Sequence, residues 1–155
     1  MSKLTVTSFN CKGFKNRNFN YISKLFSNCE VMLFQEQWLR SFEFEEFRKV
    51  LPDCEYVSKT IMKDDDIIIG RPYSGVAILW KNKIAFTVEI IPTLSQRLVA
   101  IMCKKDDVSI IVFCVYMPCN TLDNTEEFID ILTEIMSVLY TITVMCWWVE
   151  ILIVM

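Results

Sequence analysis

Stretches of alternating or continuous apolar residues divide the chain into predicted strands and helices. Alternation over Leu4–Phe9 predicts a half-buried strand. Apolar residues at helical spacing follow over Phe19–Phe26, and the apolar run Glu30–Phe34 predicts a buried parallel strand. A strand, a helix and a strand in this order predict a βαβ unit.

The rest of the chain predicts a second helix, a series of strands and a third helix. The second helix spans Phe42–Leu51 and is ended by Pro52. Five strand-like segments follow: Glu55–Ile61, Gly75–Trp80, Ala85–Ile91, Leu98–Cys103 and Val108–Val115. The third helix begins at about Glu126, with Thr125 as its cap. This order predicts an α/β fold in which mixed β-strands are flanked by helices.

Polar residues follow the first two predicted strands at the ends where α/β proteins bind ligands. Asn10 follows the first strand and Glu36 the second, so a right-handed crossover brings both to one edge of the sheet. A carboxylate and an amide there suit Mg²⁺, which takes few protein ligands. The structural alternative is that Asn10 caps a loop and that Glu36 is a solvated acid at a strand end.

Tyr116 is a third candidate, because it stands where the last predicted strand ends before Pro118. A tyrosine in this position can hydrogen-bond a phosphate oxygen. The alternative is an amphipathic residue that only covers the edge of the sheet.

Composition favours a packed domain and restricts its chemistry. Of the 155 residues, 53% are hydrophobic, with 3 glycines and 4 prolines, which favours a folded chain over a disordered one. The net charge of −3 gives no overall attraction for nucleic acid, so such a substrate needs a local basic patch or a metal ion. Because the chain has no histidine, proton transfer must use carboxylates, tyrosine, lysine, cysteine or a metal.

The 7 cysteines favour an intracellular protein, nuclear or cytoplasmic. None forms a CxxC pair and no histidine is present, so we expect no zinc site. An odd number of cysteines within apolar strand patterns predicts reduced, buried thiols. Residues 1–4 contain no apolar core of signal-peptide length.

Five short motifs occur in a fixed order between Leu4 and Pro118. They are Ser8-Phe9-Asn10-Cys11, Leu33-Phe34-Gln35-Glu36-Gln37-Trp38-Leu39, Gly75-Val76-Ala77-Ile78-Leu79-Trp80, Arg97-Leu98-Val99-Ala100-Ile101 and Val115-Tyr116-Met117-Pro118. Together they resemble the endonuclease/exonuclease/phosphatase superfamily, and they are most similar to the endonuclease domains of non-LTR (LINE-like) retrotransposons. The resemblance implies the N-terminal half of a two-sheet α/β sandwich that hydrolyses phosphodiester bonds in DNA with Mg²⁺ or Mn²⁺.

The resemblance also implies roles for individual residues. Asn10 matches the family's first active-site asparagine, Glu36 its Mg²⁺-binding glutamate, and Tyr116 the tyrosine that helps hold the phosphate. These three are the predicted catalytic residues, and Glu36 and Asn10 are the predicted metal ligands. Arg71 and Ser74 lie where such endonucleases often have Arg-Pro-aromatic-Gly-Gly. Arg71 is therefore a candidate substrate-binding residue, and Ser74 departs from the first glycine.

Two later motifs of the family do not occur in the chain. The family next has Gly-Asp-Phe-Asn and then an Asp-His pair, which orient water, stabilise the transition state and polarise the phosphate. We therefore expect residues 1–136 to form a partial domain of a truncated, inactive phosphodiesterase. Two alternatives stay open: a phosphatase or phospholipase of the same superfamily, and a non-catalytic membrane-anchored or interaction protein that uses a C-terminal apolar helix.

Residues 137–155 form an apolar tail with two interpretations. The stretch Ile135–Met155 carries one charge, Glu150, which suits a deeply buried or transmembrane helix but lacks flanking Lys or Arg. Alternatively, the tail is translated out of frame. Because Met and Trp have single codons, a frame that begins on the third base of Met145 must spell Val-Leu-Val-Gly. Permitted codons then give Gly-Asp-Phe-Asn, which predicts a frameshift around Ser137–Tyr140.

Overall fold

The computed structural model describes residues 3–70, 72–118, 122–145 and 149–155. Within these residues the strands form two four-stranded sheets. Sheet 1 has the order β1-β2-β4-β3, from β1 (Val6–Asn10), β2 (Val31–Gln35), β3 (Cys54–Lys59) and β4 (Val76–Lys81). Sheet 2 runs in chain order through β5 (Thr87–Ile91), β6 (Leu98–Lys105), β7 (Val108–Val115) and β8 (Val149–Val154). The helices are α1 (Asn16–Ser27), α2 (Glu46–Val50) and α3 (Thr125–Met145), with 3₁₀ turns at Ser41–Glu43 and Leu122–Asn124.

The two sheets pack face to face, and helices cover their outer faces. Leu33 of sheet 1 and Ile101 of sheet 2 belong to the apolar core between the sheets. Ile22 of α1 and Phe47 of α2 pack on the outer face of sheet 1, and Ile131 of α3 packs on the outer face of sheet 2. Each strand contributes side chains to both the inner and the outer face of its sheet, because successive side chains of a strand point to opposite sides. The predicted α/β sandwich is confirmed.

The first βαβ unit sets the level at which β1 and β2 end. The two strands are parallel neighbours, with Val6 opposite Val31 and Asn10 opposite Gln35. All five residues of β2 are buried; the apolar run predicted this for Val31–Phe34, and the polar Gln35 extends the strand by one residue. β4 pairs antiparallel with β2, and its first residue, Val76, lies opposite Gln35. The loop that precedes β4 therefore reaches the edge at which β1 and β2 end.

Sheet 2 contributes to the same edge. The Gln35 side chain donates through Nε2 to Sγ of Cys114 at 3.2 Å, and this thiol donates to the carbonyl of Phe34 at 3.3 Å. The contacts join the end of β2 to the end of β7, which leads into Tyr116. We call the edge formed by the ends of β1, β2 and β7 the site edge.

The predicted helix Phe42–Leu51 is shorter and is divided in two. A 3₁₀ turn at Ser41–Glu43 precedes α2. Phe44 and Phe47 both pack on the apolar cluster outside sheet 1. The N–H of Phe47 donates to the carbonyl of Phe44 at 3.1 Å, and this bond between residues three apart keeps the two rings on the same side of the segment.

The C-terminal segment is a helix followed by a strand. α3 runs through the predicted boundary between residues 136 and 137, and Val138, Leu139 and Ile142 beyond it pack on sheet 2. Val149–Val154 then form β8, parallel to β7, in place of a single apolar helix. The branched residues of this segment favour a strand. No helix in the described ranges is both long and apolar enough to cross a membrane.

Candidate functional site

Asn10 and Glu36 meet at the site edge. Nδ2 of Asn10 donates a hydrogen bond to Oε1 of Glu36 at 2.9 Å, and Oδ1 of Asn10 accepts the backbone N–H of Lys12 at 3.2 Å. The strands that carry the two residues end side by side, as the crossover argument requires. Because Asn10 presents its nitrogen to Glu36, it holds the carboxylate in position.

The segments that follow β1 and β2 hold these two residues rigidly. Three backbone N–H groups of the first segment donate to three carbonyls of the second at 2.7 to 3.1 Å. The bonds run from Cys11, Gly13 and Phe14 to Gln35, Glu36 and Gln37, respectively. Asn18 adds bonds of 3.1 Å from Nδ2 to the carbonyls of Cys11 and Gly13. The site is therefore preorganised by the backbone.

Four residues other than glycine have a left-handed backbone at or beside the site edge. Their φ angles are 44° at Lys12, 55° at Glu36, 58° at Trp38 and 72° at Ser74. Each such conformation costs about 1–3 kcal/mol, and these conformations concentrate at functional sites. The bond of 2.7 Å from the Gly13 N–H to the Glu36 carbonyl helps to hold Glu36 in this conformation.

Gln37 is fully buried beside Glu36, and its side chain is held at both ends. Oε1 accepts the N–H of Leu39, and Nε2 donates to Oγ of Ser58 at 3.3 Å and to the carbonyl of Lys59 at 3.4 Å. Gly75, with a φ of 102°, lies against this side chain, and a Cβ there would overlap it. The sequence analysis did not single out Gln37. The signal that could have identified it is its position as a polar residue within the motif that contains Glu36.

Tyr116 follows β7 directly and packs against the core between the sheets. Its backbone N–H donates to the carbonyl of Arg97 at 2.9 Å, and the guanidinium of Arg97 lies 5.7 Å from the centroid of the tyrosine ring. Nε of Arg97 donates to Oε1 of Glu127 at 2.7 Å. Sequence reasoning missed Arg97 and Glu127 as site residues. The phosphate-holding role of Tyr116 stays a prediction.

Lys59 joins the two sheets near the site edge. Its Nζ donates to the carbonyl of Thr93, to Oγ1 of Thr93 at 2.7 Å and to the carbonyl of Ser95 at 3.0 Å. Burial lowers the pKa of Lys59, and the charge of Glu134 opposes that effect. Glu134 of α3 accepts the N–H groups of Leu94 and Ser95. The loop before β6 is thus held by a cation on one side and a carboxylate on the other.

The loop between β1 and α1 is basic. Lys12 and Lys15 of this loop and Arg17 in the first turn of α1 are exposed, and Nζ of Lys15 lies 5.1 Å from the ring centroid of Trp38. In the part of the chain that the structure describes, no carboxylate forms an ion pair with these three cations. Next to Asn10, this loop is a local basic patch of the kind that a polyanionic ligand would need on an acidic chain.

Glu36 is the predicted metal ligand that offers a carboxylate at the site edge. Among residues 3–70, 72–118, 122–145 and 149–155, no three or more His, Cys, Asp or Glu side chains cluster closely enough to hold an ion. A partly exposed carboxylate held by an amide fits Mg²⁺, which completes its shell with water or phosphate oxygens. Arg71, the predicted substrate-binding residue, lies outside the described residues.

The five cysteines that the structure describes are buried free thiols, as their apolar surroundings predicted. Burial raises the pKa of Cys11 and Cys114 to about 12, and of Cys54 and Cys103 to about 11. These thiols therefore stay protonated near neutral pH, where only a thiolate would act as a nucleophile.

No family model and no curated protein matches the chain, but solved structures do. The 3′-5′ exonuclease NExo from Neisseria meningitidis matches with a TM-score of 0.60 at 15% identity, over 97% of this chain and 57% of that chain. The endonuclease domain of TRAS1, a telomere-specific non-LTR retrotransposon, matches with a TM-score of 0.55 at 14% identity, over 82% and 52%. The AP endonuclease LMAP from Leishmania major matches with a TM-score of 0.52 at 15% identity, over 74% and 40%.

These similarities show that the chain has the endonuclease/exonuclease/phosphatase fold, as the sequence motifs implied. A retrotransposon endonuclease is among the proteins that share it. The chain spans about half the length of the solved structures that it matches, with shares such as 57% and 52%.

Proposed function

We propose that the chain is a nuclease-like part of a Mg²⁺-dependent phosphodiesterase that acts on DNA and resembles a retrotransposon endonuclease. The observation that carries the proposal is the 2.9 Å hydrogen bond between Asn10 and Glu36 at the shared end of β1 and β2. It provides a fixed carboxylate beside the basic loop, on a fold that is also found in nucleases. The Neisseria 3′ phosphatase NExo has been solved with a product DNA hairpin, which supports DNA as the ligand.

Each proposed site residue has a distinct role. Glu36 holds Mg²⁺, or Mn²⁺ in its place, and Asn10 positions the carboxylate of Glu36. Oδ1 of Asn10, the atom that would coordinate the ion, accepts the N–H of Lys12. Direct coordination of the ion by Asn10 therefore stays a prediction. Tyr116 donates its hydroxyl to a phosphate oxygen. When bound, the ion would neutralise charge on the attacked phosphate.

We also propose that the chain as it stands has very low turnover. It has no histidine, and neither Gly-Asp-Phe-Asn nor an Asp-His pair occurs in its sequence. Removal of one member of a catalytic set already reduces the rate by orders of magnitude. The absence of both the water-orienting and the phosphate-polarising groups should therefore abolish measurable hydrolysis.

A shifted reading frame accounts for the missing motif. β8 lies beside β7 and parallel to it, after the crossover through α3. In the shifted frame, a Val-Leu-Val strand leads directly into Gly-Asp-Phe-Asn. If that Val-Leu-Val segment paired parallel with β7, the aspartate and asparagine would follow its carboxyl end, where α/β folds bind ligands. The coding DNA tests this proposal, which requires that the codons for Val149 and Glu150 both end in G.

A second candidate is a phosphatase of the same fold. The Neisseria structure with bound DNA is a 3′ phosphatase and shares the fold at a TM-score of 0.60 and 13% identity. The two activities differ in whether the attacked phosphate is terminal or internal. A comparison of phosphate release from 3′-phosphorylated duplexes with nicking of intact duplexes separates them.

Supercoiled plasmid DNA with Mg²⁺ tests both the binding and the turnover proposals. We expect the full chain to bind DNA at low salt but to nick it no faster than Glu36→Gln. Nicking that Glu36→Gln abolishes would overturn the proposed inactivity while supporting the nuclease assignment. Failure to bind DNA at any ionic strength would overturn the nuclease assignment itself.

A further inference from the structure

We propose that Arg97 is a positioning residue for Tyr116, and that Glu127 holds Arg97 in place for this task. The inference rests on the proposed function, in which Tyr116 contacts a phosphate oxygen. It concerns a residue triad, Glu127–Arg97–Tyr116, that connects the start of α3 to the end of β7.

The backbone brings Arg97 and Tyr116 together. β6 and β7 are antiparallel, with Leu98 opposite Val115. Arg97 and Tyr116 are the next opposed residues, and the N–H of Tyr116 donates to the carbonyl of Arg97 at 2.9 Å. Side chains of directly opposed residues project from the same face of a sheet. The arginine is therefore beside the tyrosine ring because of the strand register.

The side chains complete the arrangement. The guanidinium of Arg97 lies 5.7 Å from the centroid of the Tyr116 ring, within the range of an attractive cation–π contact. The Arg97 side chain is only 15% exposed, and its Nε is bound to Glu127 at 2.7 Å. Such a guanidinium cannot swing freely toward a ligand. Its action on a bound phosphate therefore passes through the orientation of the tyrosine.

The loop that carries Arg97 is itself fixed. Nζ of Lys59 binds oxygens of Thr93 and Ser95, and Glu134 accepts the N–H groups of Leu94 and Ser95. The backbone that leads into Arg97, the middle residue of the triad, is thus held from two sides. A ring held in this way loses little further conformational entropy when its hydroxyl binds a phosphate.

The test is a double-mutant cycle on the affinity of the full chain for a DNA duplex in Mg²⁺, measured by fluorescence anisotropy. We expect Arg97→Gln and Tyr116→Phe each to weaken binding roughly fivefold. The double variant should bind no worse than Tyr116→Phe alone, and Arg97→Lys should recover most of the affinity. Lys104→Gln, which removes a distant cation of sheet 2 that pairs with Glu89, is the matched control and should change affinity little.

A spectroscopic measurement separates this inference from the proposed function. The NMR resonances of a ¹³C-labelled Tyr116 ring, assigned with Tyr116→Phe, should shift in Arg97→Gln and in Glu127→Gln but not in Lys104→Gln. An unchanged ring signal in Arg97→Gln, or equal losses of DNA affinity with and without the tyrosine hydroxyl, would overturn the inference. If no variant binds DNA, the proposed function fails, and the ring signals still decide whether Arg97 positions Tyr116.

Discussion

Gly75 lies so close to the side chain of Gln37 that no β-carbon fits between them. Gln37 in turn spans from Leu39 to Ser58 and Lys59 through hydrogen bonds. This packing ties the segment after Glu36 to the start of β4 and the end of β3. The geometry of the site edge therefore depends on Gly75, although this residue has no side chain.

Gly75→Ala should destabilise the protein by about 3 kcal/mol. Left-handed backbone at an alanine costs about 1–2 kcal/mol, and overlap with Gln37 adds a packing penalty of similar size. Gly70→Ala is a matched control: Gly70 has a φ of 94°, but apart from Gly70 and its chain neighbours no heavy atom of the described residues lies within 4 Å of the position that a β-carbon would take there. That variant should lose only about 1–2 kcal/mol. Equal losses in urea unfolding would contradict the proposed overlap.

Ser74→Gly should stabilise the protein by about 1 kcal/mol. Ser74 is buried and has a φ of 72°, a conformation that glycine adopts without steric cost. Its hydroxyl accepts the N–H of Ile61 at 3.4 Å, a long bond whose loss costs little. Ser74→Ala removes the same hydroxyl but keeps the strain, so it should show no gain. A lower urea midpoint for Ser74→Gly would refute the argument from strain.

Glu36→Gln should abolish binding of Mn²⁺ at the site edge, and Asn10→Ala should weaken it about tenfold. The first change removes the carboxylate, whereas the second removes the amide that holds it, an effect typical of a residue that supports a metal ligand. Electron paramagnetic resonance of free Mn²⁺ measures both. Glu89→Gln, on the surface of β5, is the control. Unchanged Mn²⁺ affinity in Glu36→Gln would place the ion elsewhere.

Replacement of Lys12, Lys15 and Arg17 by glutamine should reduce the salt dependence of DNA binding. Each phosphate contact contributes about 0.9 to the magnitude of the slope of log K against log salt concentration. The slope of the triple variant should therefore be smaller in magnitude by about 2–3. The same exchange at Lys49, Lys83 and Lys104 keeps the net charge equal and should leave the slope nearly unchanged. Equal reductions in the two triple variants would show nonspecific attraction in place of a defined patch.

Stability should fall as pH rises above 9. Burial raises the pKa of Cys103 to about 11 and of Cys11 to about 12. The folded protein then keeps protons that the unfolded chain releases, so stability is fully present below pH 9 and declines toward pH 11–12. Burial lowers the pKa of Lys59, so this group makes stability rise with pH below pH 10.5. It is one group, whereas several thiols act in the other direction. Urea midpoints measured between pH 7.5 and about 10.5 test this.

A variant identifies the thiols as the cause of the alkaline loss. Cys103→Ala should show a shallower decline with pH than the wild type, because one raised pKa has been removed. A curve that stays parallel to that of the wild type would assign the alkaline loss to other groups.

The sequence by itself determined the main elements and the pairing of Asn10 with Glu36. Hydrophobic periodicity is local, so it located β1 to β7 to within a few residues. The handedness of a βαβ crossover is nearly invariant, so it was enough to bring two strand ends to one edge. The five motifs then led to the fold that the solved structures share.

Only the tertiary structure decided which other residues support the site. Arg97 meets Glu127 across 30 positions of sequence, and Lys59 reaches Thr93 across 34. No local sequence pattern encodes such contacts, because they arise when a helix packs against a sheet and when one sheet packs against the other. Tertiary packing also explains β8. A short apolar run can be buried as a helix or as a strand, and pairing with the edge of β7 makes this segment a strand.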